Sequence, residues 1–196
     1  GIANFLEDSL YKINVDKISA AGGVIVEIEP DNMDFEGFGT LLSADMKIDL
    51  PEYLSKYGSD KVPFKSVMEI AEFNLQDTLV NIPYGQGRFD NINETNLTNE
   101  EHEALKVSLN ERGIAYFDKP MRENKLDAVI SINNWNAGQA AAAKFPCLTI
   151  PMGYTETGAP KGITFIARPF KEDMLLKWGY AFEQLTKSRQ IPTDFQ

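Results

Sequence analysis

Between Leu126 and Phe182 the sequence leaves few architectures open. It runs Leu126-Asp127-Ala128-Val129-Ile130-Ser131-Ile132, then Asn133-Asn134-Trp135-Asn136-Ala137-Gly138 and an alanine run. It resumes as Lys144-Phe145-Pro146-Cys147-Leu148-Thr149-Ile150-Pro151-Met152-Gly153-Tyr154. After a polar loop, Gly158-Ala159-Pro160-Lys161-Gly162 leads into Ile163-Thr164-Phe165-Ile166-Ala167-Arg168-Pro169-Phe170. Short apolar runs rich in β-branched residues, punctuated by Gly and Pro, are sheet strands. Met174, Trp178, Ala181, Phe182 and Leu185 then share one face of a helix, which packs on that sheet. With the Val- and Ile-rich run before Pro30, the pattern predicts strands at 24–28, 128–132, 148–151 and 163–167 in a single sheet.

The same residues resemble the carboxy-terminal end of the amidase signature family. The ordered set is Asp127-Ala128-Val129, Phe145-Pro146-x-Leu148-Thr149-Ile150-Pro151-x-Gly153-Tyr154, Gly158-x-Pro160-x-Gly162, Arg168-Pro169-Phe170, and a helix reading Leu175-Leu176 and then Tyr180-Ala181-Phe182-Glu183-Gln184. The resemblance is strong after Lys125 and weaker before it. Phe73-Asn74 followed by Ile82-Pro83-Tyr84-Gly85-Gln86 resembles the subset that includes peptide amidases.

The resemblance implies an α/β fold, a mixed β-sheet covered by helices, and amide hydrolysis or transfer as the activity. The family's triad, one lysine and two serines, lies in the amino-terminal half, with one serine in a Gly/Ser-rich stretch. No such stretch occurs here. Residues 1–196 are therefore expected to be one domain, the back portion of a larger amidase, inert alone. The expected partners are the amino-terminal catalytic half of the same protein and, in the intact enzyme, a small amide substrate. Aminoacyl-tRNA amidotransferase A subunits are close in class and stay open as an alternative. So does a stand-alone acidic α/β domain that binds without catalysis.

Composition narrows the partners. The formal net charge of −10 offers no basic stripe for a phosphate backbone, so neither nucleic acid nor an anionic membrane surface is expected. No apolar run reaches spanning length. One cysteine makes neither an internal disulfide nor a multi-cysteine metal site. No Asp-x-Asp loop with a closing Glu appears, and no cofactor or metal is expected. No secretory signal is visible, which favours the cytoplasm without fixing it. A hydrophobic fraction of 43% supports a real core.

Earlier in the chain, residues 5–21 read as a helix capped at Gly22-Gly23. Phe35, Phe38, Leu42 and Met46 lie on one helical face and are expected in a core, and a further helix is expected to begin at Pro51. Ser66-x-x-Glu69 and Thr98-x-x-Glu101 are capping boxes, the second opening a helix to about Asn124 that tolerates Gly113. Residues 81–90 read as a loop and 91–99 as polar turns.

Candidates for chemistry are few. His102, among Glu100, Glu101 and Glu103, reads as a surface residue. Cys147, in a Pro-bounded strand with apolar neighbours, reads as a buried inert thiol. Ser131 ends a strand, where open sheets place ligands, but its isoleucine flanks make a strand residue the better reading. No catalytic residue is expected in this chain. The candidates for a substrate wall are Asn133, Asn134 and Trp135, which stand where the resemblance expects a small Pro-containing turn, together with Tyr84 and Gln86. Trp135 has two open readings, stacking on a substrate or capping the core.

Overall fold

In the computed structural model the structure describes residues 1, 5–29 and 31–191. The three expected runs after Lys125 form one sheet: β1 (Val129–Ile132), β2 (Cys147–Tyr154) and β3 (Pro160–Ile166), in the order β1-β3-β2. Both ladders are antiparallel. Val129 faces Ile166 and Ile132 faces Ile163 in one. Cys147 faces Ile166 and Ile150 faces Ile163 in the other, with an irregularity between Pro151 and Gly153. The far edge of β1 is taken by Gly1. Its N donates to Ala128 O at 2.8 Å, and its O accepts from Ile130 N at 2.8 Å, the bonding pattern of a parallel neighbour.

The chain divides into two compact units, Gly1–Asp34 with Asn110–Gln196, and Phe35–Leu109. In the first, α1 (Ser9–Ala20) and α8 (Glu172–Thr186) cover one face of the sheet. Asp8 caps α1, accepting from Tyr11 N, and Gly22 at φ 99 helps close it. Ile130, Ile132, Ile150, Met152, Ile163 and Phe165 meet Tyr11, Val15, Leu175 and Phe182 in this core. Two buried polar groups tie α1 down. The Tyr11 hydroxyl donates to Ile130 O at 2.9 Å, and Asn14 Nδ2 donates to Met152 O at 3.0 Å. A second cluster lies around Val129 and Ile166, where Ala140 and Ala143 of α7 (Ala137–Ala143) meet Phe117, Met121 and Phe145.

Helix α6 (Asn99–Glu123) begins in the second unit and ends in the first. The second unit also holds α2 (Phe38–Tyr57), α3 (Val67–Asn74), α4 (Thr78–Asn81) and α5 (Gly87–Glu94). Both capping serine and threonine side chains cap their helices, but only the second box closes reciprocally, since Glu69 Oε2 accepts from Lys65 N. Ser66 Oγ accepts from Glu69 N, while Thr98 and Glu101 bond each other reciprocally.

Four expectations need correction. Residues 24–28 form no strand: only Glu27 makes a single bridge. Ile25 packs on one cluster and Val26 and Ile28 on the other, so the side chains find cores while the backbone finds no ladder. Helix α2 runs through Pro51 instead of starting there, since no Gly or Asn stops it first. The loop at 81–90 is shortened by α4 and α5. Asp77 caps α4, whereas no side chain caps α5, and only Ile92 of that polar helix is buried. Phe35, Leu42 and Met46 are exposed, not core, at 36–48%. Pro30, which follows the 24–28 run, lies outside the described residues.

Candidate functional site

Several polar contacts of the first unit's sheet gather around the turn after β1. Asn133 takes the left-handed conformation at φ 49, which a short amide side chain tolerates. Its N donates to Gly162 O at 2.7 Å, and its Oδ1 accepts from Gly162 N at 2.9 Å. The Thr164 hydroxyl donates to Asn133 O, and Thr149 Oγ1 lies 2.7 Å from Thr164 Oγ1. Ser131, Thr164 and Thr149 stand in register across the three strands, on one face. Gly162 belongs to this packing, because a Cβ there would lie 2.7 Å from Thr149 Cγ2.

The turn ends on Trp135, whose N donates to Ile132 O at 3.1 Å. Its ring is 67% exposed and lies 6.0 Å from Phe5, which in turn makes an edge contact with Tyr11. Asn134 is exposed. Asn136 is buried: its Nδ2 donates to the Tyr116 hydroxyl at 2.9 Å, and its Oδ1 has no partner. Burial pushes the Tyr116 phenol above its ordinary value, and the Asn136 bond partly opposes this.

Ser131 is fully buried and its hydroxyl has no hydrogen-bond partner, so no base activates it. The strand-residue reading holds. Lys144 is exposed and forms the left-handed cap of α7.

Cys147 is exposed, a correction. Burial alternates along β2, and the Leu148–Ile150–Met152 face is the covered one, leaving Cys147, Thr149 and Pro151 outward. Partial desolvation still pushes its thiol up.

In the second unit His102 is buried, not on the surface. Its Nε2 lies 2.7 Å from Asp45 Oδ1, so α2 supplies the partner that the neighbouring sequence lacks. Nearby, Lys47 Nζ donates to Asn93 O, Thr95 O and Asn96 Oδ1, pinning the connection into α6. Tyr84 is fully exposed. Gln86 is spent on α3, with Nε2 on Ala71 O and Oε1 accepting from Asn74. Neither Gly85 nor Gly87 has an atom within 4 Å of a Cβ built there, so close packing explains neither; Gly85 is needed for its φ of 80. The five wall candidates therefore divide, with Asn133, Asn134 and Trp135 in one unit and Tyr84 and Gln86 in the other. Phe5 was missed, because nothing local in the sequence ties it to Trp135. Among the described residues no group of three or more His, Cys, Asp or Glu is placed to hold a metal.

No protein-family model matches the sequence. A probable amidase of Arabidopsis thaliana is 29% identical over 155 residues, covering 77% of this chain and 30% of that protein. An amidase family protein from Bacillus anthracis str. Ames superposes with a TM-score of 0.85 and 28% identity, over 98% of this chain and 39% of that one. The peptide amidase of Stenotrophomonas maltophilia gives a TM-score of 0.86 over 98% of this chain and 43% of that one; at 24% identity it bears on the fold alone. The chain spans less than half the length of each of these relatives. In sequence and in fold the chain is similar to part of these amidases, consistent with a carboxy-terminal portion of an amidase signature protein.

Proposed function

We propose that this chain is the scaffold and substrate-wall portion of an amide-hydrolysing enzyme, and that the Ser-Ser-Lys triad is carried by an amino-terminal half with which it works. Alone it hydrolyses no amide. The observation that carries this reading is Ser131. The best-placed serine of the sheet is fully buried, with no base bonded to it. Acyl transfer by serine needs a base in hydrogen-bond reach and donors set for the oxyanion. The other nucleophile and base candidates do not supply them. Cys147 has a raised thiol pKa, and His102 is engaged with Asp45.

In the first unit Trp135 and Asn134 present surface to a substrate, and in the second Tyr84 is the exposed candidate. Asn133 and Gln86 hold the turns that carry them, since their own amides are bonded internally. The test is ammonia release from a panel of simple amides. The chain alone is expected to show none, and activity is expected when the amino-terminal half is supplied. Turnover by the chain alone that disappears in Ser131→Ala or Lys144→Ala would overturn the reading.

A further inference from the structure

Three rings run outward from the core of the first unit. Tyr11 is fully buried and bonded to Ile130 O. Phe5 meets Tyr11 edge-on at 6.0 Å and 88°. Trp135 lies 6.0 Å beyond Phe5 at 38° and is 67% exposed. Indoles of this size are normally well covered, so an exposed one backed by a second ring calls for a reason.

Three features make a shelf of it. The backbone beneath is fixed, because Asn133 is clamped to Gly162 from both sides and Trp135 N is bonded to Ile132 O. A fixed platform loses little freedom when something stacks on it. The location is also particular. Trp135 lies just past the carboxyl end of β1, where the chain leaves the sheet. Finally, residues 133–136 carry no charge, and Asn134 is the exposed amide beside the ring.

Resting on the amidase reading above, we propose that Phe5 and Trp135 form a specificity shelf that takes an uncharged aromatic or bulky apolar group of the amide substrate. Trp135 is the contact, and Phe5 is a positioning residue that acts through it.

The test compares phenylalanine amide with glycine amide in the full-length enzyme. For Trp135→Ala, the ratio of kcat/KM between the two amides is expected to fall about tenfold, carried by KM. Phe5→Leu is expected to lower the ratio in the same direction, and Trp135→Phe to keep most of it. Equal losses on both amides, or no change in the ratio, would overturn the shelf while leaving amide hydrolysis standing. If the parent hydrolyses neither amide, it is the functional reading that fails. Binding then decides the shelf, through the fluorescence difference between parent and Trp135→Phe on titration with N-acetylphenylalanine amide. A saturable change absent with the glycine analogue supports it, and no change overturns it.

Discussion

Gly113 has no side chain because α7 leaves no room for one. A Cβ there would lie 2.5 Å from Ala143 N and 2.8 Å from the carbonyl carbon of Ala142. Replacing a helical glycine by alanine gains about 1 kcal/mol of propensity, and overpacking costs about 1–3 kcal/mol. The obstructing atoms are mainly main chain, which cannot swing aside, so overpacking wins. Gly113→Ala is expected to lower the urea midpoint despite its better propensity. The sequence marks Gly113 only as a defect in a long helix, since the helix it touches is not its neighbour in sequence. Tyr11→Phe is the companion case. It strips the hydroxyl from Ile130 O in a fully buried site and is expected to cost about 1–2 kcal/mol in the same measurement. Cys147 inverts its expected behaviour. Its thiol is expected to react with a maleimide in native buffer at a rate within a few-fold of that in denaturant at pH 10, and to lag at pH 7 because its pKa is raised. The period of two was legible at Cys147, but which of the two faces is covered depends on α8.

Among the elements, those with both a pattern and punctuation were legible. β1, β2, β3, α8 and the two capped helices α3 and α6 fall where periodicity and caps put them. The misses have different causes. The run at 24–28 has the composition of a strand, yet strand formation requires a second backbone, and composition does not name one. α5 lacks a side-chain cap and most of an apolar face, so nothing local announces it. Asp77 did announce α4 and went unread. Of the site, the turn after β1 was legible as a strand end, whereas the ring pair and the His102–Asp45 contact join residues far apart in sequence. The turn's conformation makes its own prediction. Asn133→Ala removes the Gly162 N partner and places an alanine at φ 49, for a loss of about 1–2 kcal/mol, whereas Asn133→Gly keeps the conformation and loses less.

At the scale of the whole molecule, the chain alone is expected to self-associate. Leu79, Val80 and Tyr84 of the second unit are 73–100% exposed, a surface that favours pairing, while Pro151 and the adjacent irregularity blunt β2 as an edge. Sedimentation of a monomer at high concentration, without dye binding, would count against this. One last consequence follows from the threonines across the sheet. Thr164 has a single hydroxyl proton and gives it to Asn133 O, so Thr149 must spend its own proton on Thr164. Thr149 therefore faces outward with lone pairs only. This strip of the sheet has a polarity: it welcomes an approaching N–H and repels an approaching carbonyl, and valine at that position would make it indifferent to both.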